Sequence, residues 1–209
     1  MQSYAGRRTA RGVFRPNSIV TGFPMASLSG MIFHVASSAL IVLNVLLLAT
    51  VASSTFKLWP TPSSKGWQHY TFWPLFRGGL GLTLVYAIVT AHWPDAGEIL
   101  RFAIGMAGVI VGFGFTIYGY FDLGIENTYG ADEGLVTNGL YRYSRNPQYV
   151  ASILGFTGTG LANGELHAVI LCGLAVLVYV IMPYTEEPWL RQAYGDVYLD
   201  YKRRTPRFL

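Results

Sequence analysis

Apolar residues run through most of this chain in long, continuous segments. Five such segments are separated by polar turns and loops, and they cover residues 30–51, 75–91, 99–120, 149–162 and 167–183. About 20 apolar residues suffice to cross the hydrocarbon core of a bilayer. The pattern predicts an all-α membrane protein with about five transmembrane helices, of which the fourth is the shortest.

The last two apolar segments predict a tight helical hairpin, because the turn signal Asn163-Gly164 stands between them. This hairpin brings two polar stretches, residues 134–149 and residues 185–204, to the same membrane surface. An otherwise apolar chain concentrates much of its charge in these stretches, and charge beside a bilayer is usually functional.

The second polar stretch predicts a separate C-terminal helix that begins near Thr185. Thr185 is suited to be its N-cap, and Glu186 and Glu187 then fall in the first turn, where the helix dipole favours acids. Helical spacing predicts one apolar face, formed by Leu190, Tyr194, Val197 and Tyr201.

The composition excludes several classes of protein. Only 12% of the residues are charged, against about 25% in soluble domains. The net charge of +4 comes without the basic stripe of a nucleic-acid-binding fold. Cys172 is the only cysteine, which rules out a disulfide framework, and the four histidines show no metal-ligand spacing. We expect a basic tail over residues 1–28 and a single domain over residues 29–209.

The charges also predict an orientation. The polar stretch after the hairpin is rich in arginine and lysine, so it is expected on the cytoplasmic side. Five spans would then leave the arginine-rich amino terminus on the opposite side, against the same rule. The C-terminal assignment is preferred because it carries the candidate site.

Three other features of the chain have structural interpretations. Gly108 and Gly112 form a G-x-x-x-G spacing that lets helix backbones approach closely. His34 and Asn44, the polar exceptions in the first span, are expected to hydrogen-bond a neighbouring helix. The aromatic loop at residues 53–74 is interpreted as an interfacial belt, with a lid over a lipid-facing site as the alternative.

The residue types of the two polar stretches suit a ligand with several charges. Arg142 and Arg145 can hold a carboxylate or phosphate, and Glu186 or Glu187 can hold an amino group or sugar hydroxyls. Tyrosine faces can lie against a sulfonium cation. S-adenosylmethionine offers all of these groups, as do other charged ligands. The chain has no G-x-G-x-x-G after a strand, hence no Rossmann dinucleotide site.

The stretches LVTNGLYRYSRNPQY and EEPWLRQAYGDVYLDYKRRTPRF carry a family resemblance. They resemble the G-x-Y-x-x-x-R-H-P-x-Y motif, the E-E pair and the later Tyr-x-x-Tyr of the integral-membrane methyltransferases. That family includes isoprenylcysteine carboxyl methyltransferase and the phospholipid N-methyltransferases. The resemblance covers about the last 75 residues, and residues 134–209 are the expected cofactor-binding part.

The resemblance implies S-adenosylmethionine as the cofactor and a set of residues around it. The expected cofactor-binding residues are Leu135, Val136, Gly139, Tyr141, Arg145, Asn146, Pro147, Tyr149, Glu186 and Glu187. Glu187 and Arg204 are the candidate catalytic residues, with Arg204 neutralising an acceptor carboxylate. No metal is expected.

The resemblance also implies a lipophilic acceptor that enters sideways between helices. A prenylcysteine-like carboxylate is the first expectation and a phospholipid amine the second. Asn146 departs from the family histidine, and an asparagine cannot titrate, which leaves the acceptor class open. Two other classes stay open: an NADPH-dependent sterol-type reductase and a non-catalytic lipid-binding protein. No nucleic-acid partner is expected.

Overall fold

The computed structural model describes residues 28–61, 65–123 and 134–209, and these parts contain helices and no strand. The five α-helices are α1 (Leu28–Ala52), α2 (Trp67–Val89), α3 (Ile99–Leu123), α4 (Pro147–Asn163) and α5 (Leu166–Arg204), with a 3-10 turn at Gly139–Arg142 before α4. The all-α prediction is confirmed. The predicted basic tail lies outside the described residues except for Leu28.

Four of these helices, α1, α2, α3 and α5, are long and apolar enough to cross a membrane. Helix α4 has 17 residues, a length of about 25 Å, which makes it the short segment that the sequence predicted. Several apolar helices of this kind fit a multi-pass membrane protein.

Consecutive helices alternate in direction, which gives the molecule two distinct ends. At one end Trp59, just after α1, donates a hydrogen bond to Glu186 on α5. At the other end Asn163, the last residue of α4, donates to Ala87 O on α2 at 3.0 Å. We call the first the site end and the second the far end. Helix α1 therefore starts at the far end, and α4 runs from the site end to the far end.

The far end is closed by a polar cluster. Glu165 accepts a hydrogen bond from the Tyr86 hydroxyl at 2.8 Å and lies 2.8 Å from the His167 ring. Burial opposes the charged form of Glu165, but the hydrogen bonds from His167 and Tyr86 outweigh it and lower the pKa of Glu165. The cluster fixes the turn between α4 and α5 against α2.

The core is an apolar interface in which α1 packs against α5. Leu40, Leu43 and Leu47 of α1 are completely buried, as are Leu171 and Val178 of α5. The side chain of Asn44 donates a hydrogen bond to Leu174 O across this interface at 3.1 Å. The predicted packing role of Asn44 is confirmed. His34 has a ring contact with Phe33, its neighbour in the sequence, at 5.4 Å.

Glycines allow α3 and α4 to pack with their backbones in contact. A Cβ on Gly112 would lie 2.7 Å from Ala151 O, and one on Gly158 would lie 2.6 Å from Gly105 O. Neither position can hold a side chain without moving a backbone. The G-x-x-x-G spacing is thus a packing device, as predicted, and it fixes α4 beside α3.

The prediction of a separate helix that begins at Thr185 is wrong. Helix α5 continues through this point, with Pro183 and Pro188 inside it. Thr185 is buried, and its hydroxyl donates to Met182 O at 2.8 Å within the helix. Thr185 therefore lies inside a continuous helix and is not an N-cap.

The break in α5 lies instead at Gly195, whose φ of 53° and ψ of −127° are not helical. This break shifts the helical phase of the residues that follow. Val197, predicted on the apolar face, is 66% exposed, and Tyr198 is buried in its place. The rest of the predicted face, Leu190, Tyr194 and Tyr201, does pack together.

Candidate active site

A cavity of about 230 Å³ lies at the site end, where the two polar stretches meet. Helices α2, α3, α4 and α5, the loop after α1 and the segment before α4 contribute to its wall. The lining includes aromatic residues from the first half of the chain and charged residues from the second half. The hairpin thus brings the two polar stretches together around one cavity.

Glu187 is the centre of the charged part of this site. Its carboxylate accepts a hydrogen bond from Arg145 at 2.7 Å and two from Arg207 at 2.7 Å each. Lys202 lies 3.4 Å away. The side chains of Glu187 and Arg145 are each only 8% exposed. The hydrogen bonds to Glu187 raise the pKa of Arg207, and the buried carboxylate of Glu187 is shared by the two arginines.

The segment of residues 205–207 closes over the turn that precedes α4. The backbone N–H of Arg145 donates to Pro206 O at 2.9 Å, and its guanidinium donates to Thr205 O at 2.8 Å. The Asn146 side chain donates to Arg207 O at 2.9 Å. We call residues 205–207 the latch, because they join the end of α5 to the start of α4.

Glu186, beside Glu187, faces the cavity itself. Its Oε1 atom accepts hydrogen bonds from the Trp59 indole and the Tyr149 hydroxyl, each at 2.5 Å. Among the described residues, no donor reaches its Oε2 atom. Glu186 therefore offers the cavity a carboxylate oxygen held in a fixed position.

Two hydrogen-bond donors around the cavity are buried without a partner among the described residues. These are the Nε atom of Arg145 and the hydroxyl of Tyr198. Both residues line the cavity. A buried donor without an acceptor is unfavourable by about 1–3 kcal/mol, so the pair indicates a place where a ligand supplies the acceptor.

Aromatic residues form the opposite wall. Trp59 is only 4% exposed and stacks on Phe72 with ring centroids 4.3 Å apart. Trp73 meets Trp59 edge to face at 5.6 Å. Trp67 and Tyr70, from the same region of the sequence, are exposed. Trp59 is therefore part of the cavity wall, whereas the interfacial belt and the lid both stay predictions.

A comparison with known families finds a match for much of the second half of the chain. Residues 100–197, from α3 through most of α5, match the family model described as phospholipid methyltransferase. This part of the chain is similar to the membrane methyltransferases. The resemblance that the sequence motifs indicated is confirmed.

Two curated proteins are each similar to about a third of this chain. Protein-S-isoprenylcysteine O-methyltransferase of Schizosaccharomyces pombe is 33% identical over 76 residues, 36% of this chain and 32% of the relative. The cobalt-zinc-cadmium resistance protein CzcN of Cupriavidus metallidurans is 37% identical over 75 residues, 35% of this chain and 34% of the relative. The similarity spans about a third of each relative. No solved structure matches the chain.

The structure places most of the predicted methyltransferase site residues around the cavity. The lining includes Leu135, Val136, Tyr141, Arg145, Asn146, Tyr149, Glu186 and Glu187. Gly139 and Pro147 do not line it: Gly139 starts the 3-10 turn, and Pro147 is the first residue of α4. Arg204 also lies off the cavity, and its guanidinium donates to Asp200 O at 3.3 Å.

Sequence reasoning missed the contribution of the first three helices. Trp59, Phe72, Trp73 and Arg77 come from the loop after α1 and from α2, and Thr116 and Tyr120 come from α3. The available signals were Arg77, a charge within an apolar segment, and the aromatic loop, for which a lid was the alternative interpretation. Over the described parts of the chain, no group of three histidine, cysteine or acidic side chains is arranged to hold a metal ion.

Proposed function

We propose that this protein is an S-adenosylmethionine-dependent methyltransferase that acts on a lipophilic acceptor. The observation that carries the proposal is the pairing of unused polar groups at the charged end of the cavity. Two buried donors, Arg145 Nε and Tyr198 OH, have no partner among the described residues, and Arg145, Tyr198 and Glu186 all line the same cavity. Donors and a carboxylate together suit the zwitterion of an amino acid.

The remaining wall suits the rest of the same cofactor. Tyr149, Trp59 and Trp73 present aromatic surface, which attracts a sulfonium cation. Leu135, Val136 and Leu190 provide an apolar surface beside the tyrosine cluster. When bound, S-adenosylmethionine supplies a methyl group already activated by its positive sulfur.

The protein's own residues then hold the hydrogen-bond donors in position and limit access of water. Glu187 holds Arg145 in place, and the latch holds both against α4, so the donors keep their direction. Trp59 covers the cavity and limits water, which would otherwise solvate both reactants. Glu187, a predicted catalytic residue, is thereby assigned a positioning role. A contact of Arg204 with an acceptor carboxylate stays a proposal.

Two acceptor classes fit the proposal. A prenylcysteine-like carboxylate remains the first, and it needs no base. A phospholipid amine is the second, and it must lose a proton before it reacts.

Binding of S-adenosylhomocysteine to the purified protein, measured by calorimetry in detergent or nanodiscs, tests the proposal. We expect Tyr198→Phe and Glu186→Gln each to weaken binding about tenfold, since each removes one contact with the zwitterion while keeping the shape. Tyr143→Phe is the matched control, because Tyr143 is 69% exposed and outside the cavity.

A folded wild-type protein that does not bind S-adenosylhomocysteine would contradict the proposal. NADPH is then the next ligand to titrate, and saturable NADPH binding would establish the reductase alternative. If neither ligand binds while lipids do, the chain is a lipid-binding protein on a methyltransferase scaffold.

A further inference from the structure

The two adjacent glutamates of the proposed site have different kinds of partner. Glu187 is paired with three cationic side chains. Glu186 is partly buried and accepts hydrogen bonds from two neutral groups, the Trp59 indole and the Tyr149 hydroxyl. Over the described parts of the chain, it forms no ion pair. A carboxylate withdrawn from water without a cation beside it is unfavourable, so Glu186 is the glutamate that suits a cationic group of a ligand.

The hydrogen bonds to Glu186 fix the direction of its side chain before a ligand arrives. A glutamate side chain has several rotatable bonds, and ordering them during binding costs entropy. The two donors come from distant parts of the chain, Trp59 after α1 and Tyr149 in α4, and both reach the same oxygen, Oε1. A group that is already oriented binds its ligand more tightly, so the affinity of Glu186 for a cation depends on these donors.

Trp59 is itself held in place by α1 and α2. The preceding residue, Leu58, is completely buried, and its backbone N–H donates to the Thr50 hydroxyl of α1 at 3.0 Å. The indole ring stacks on the completely buried ring of Phe72 in α2, with an angle of 17° between the two planes. The direction of the indole N–H is therefore set by two helices that carry none of the charged residues around Glu187.

The hydrogen bond between Trp59 and Glu186 joins two parts of the chain that the family comparison separates. Glu186 lies within residues 100–197, which match the phospholipid methyltransferase model, whereas Trp59 lies outside them. Trp59 is also absent from the cofactor-binding residues that the motifs predicted. The amino-terminal part of the chain thus contributes directly to the orientation of a carboxylate in the methyltransferase-like part.

We propose that Trp59 is a positioning residue for the cofactor, whose indole N–H orients the Glu186 carboxylate toward the α-amino group of S-adenosylmethionine. This inference rests on the proposed function and assigns a partner to each end of the amino-acid zwitterion. Arg145 and Tyr198 donate to the α-carboxylate, and Glu186 accepts from the α-ammonium group. Trp59 acts through Glu186, so its effect is confined to ligands that carry the amine.

A pair of ligands separates recognition of the amine from all other contacts. The probes are S-adenosylhomocysteine and its desamino analogue, in which hydrogen replaces the α-amino group, each titrated by calorimetry into the full-length protein in nanodiscs. We expect the wild-type protein to bind S-adenosylhomocysteine about tenfold more tightly than the analogue. Trp59→Phe removes the donor and keeps a ring against Phe72. It should weaken binding of S-adenosylhomocysteine about fivefold and of the analogue less than about twofold.

Two further variants separate orientation of Glu186 from packing of the ring. Benzothienylalanine in place of Trp59, introduced by stop-codon suppression, keeps the size and shape of the indole and replaces its N–H by sulfur, so it should give the same selective loss. In a Glu186→Gln background, Trp59→Phe should weaken binding of S-adenosylhomocysteine by less than about twofold more, because no carboxylate remains to be oriented. Trp93→Phe is the matched control, since Trp93 is 90% exposed and off the cavity.

The benzothienylalanine variant decides between the two roles of Trp59. If it binds S-adenosylhomocysteine as tightly as the wild type, or loses affinity for both ligands equally, the inference is overturned, because Trp59 then only packs. A wild-type protein that binds both ligands equally also overturns it and leaves the proposed function standing. A folded wild-type protein that binds neither ligand contradicts the proposed function itself and this inference with it, so the two failures are distinguishable.

Discussion

Asn146 stands where the family motif has histidine, and its contacts explain how asparagine serves there. Its side chain donates to Arg207 O at 2.9 Å, and its backbone N–H donates to the Ser144 hydroxyl at 3.1 Å. Both contacts are structural, and neither needs a group that titrates. At this position the residue holds the latch, a role that a hydrogen-bond donor can fill without titrating.

Asn146→Ala is expected to lower the free energy of unfolding by about 1 kcal/mol, the usual contribution of one hydrogen bond. The loss should stay small because Arg207 O also accepts a hydrogen bond from Ser144 at 3.3 Å. Reversible unfolding in detergent measures it. Asn146→His is the control, because a ring N–H can donate to the same carbonyl. A histidine variant as unstable as the alanine variant would contradict this explanation.

The sequence predicted some residues of the site and missed others for a physical reason. Arg145 and Glu186 were predicted because the motifs and the hairpin place them at one surface. Trp59 was assigned to an interfacial belt, because the sequence does not distinguish a tryptophan in the headgroup layer from a tryptophan that covers a cavity. Only the hydrogen bond from Trp59 to Glu186, 127 positions apart, separates the two interpretations.

At the scale of elements, the latch depends on one buried carboxylate shared by two arginines. Glu187→Ala should destabilise the protein by about 3–5 kcal/mol, because it leaves the buried Arg145 without a counter-ion. Arg207→Ala should have a smaller effect, about 1.5–3 kcal/mol, because Glu187 keeps Arg145 and Lys202. Unfolding of both variants in the same detergent shows which substitution lowers the free energy of unfolding more. Equal effects would show that Arg145 does not depend on Glu187.

The interface of α3 with α4 provides a matched pair of glycines on one helix. Gly112→Ala is expected to destabilise the protein by about 1–3 kcal/mol through overpacking, because its new methyl group meets the backbone of α4. Gly114→Ala adds the same methyl group where nothing lies within 4 Å. The same unfolding measurement on both variants isolates the contribution of helix packing to stability. A loss of stability in Gly114→Ala as large as in Gly112→Ala would contradict the packing explanation.

Helix boundaries were predictable where the composition changes abruptly. They were predicted wrongly where a proline lies inside a helix. Helix α3 begins at Ile99 as predicted. Helix α2 begins at Trp67, eight positions before the predicted start, because Pro74 lies inside the helix. Helix α5 likewise continues past Pro183 and Pro188. In a membrane helix neighbouring groups can satisfy the freed carbonyls, so proline is a weaker stop signal than in soluble proteins.

On the scale of the whole molecule, the two ends differ sharply in charge. The site end carries Arg142, Arg145, Arg191, Arg207 and the Lys202–Arg204 run, whereas the far end, over the described residues, carries only Arg101 near the start of α3. The alternating helices fix the relation between the ends but not the side of the membrane on which each lies. The basic bias of the site end supports a cytoplasmic position for it.

Thiol labelling can decide this orientation, since Cys172 is the only cysteine and is buried. Lys202→Cys places an exposed thiol at the site end, and Asp95→Cys places one in the α2–α3 turn at the far end. In right-side-out vesicles from a bacterial host, we expect a membrane-impermeant maleimide to label Asp95→Cys and not Lys202→Cys. Inside-out vesicles should give the reverse pattern. Labelling of Lys202→Cys in right-side-out vesicles would mean that the arginine-rich amino-terminal sequence, joined to the far end through α1, outweighs the basic site end in setting the topology.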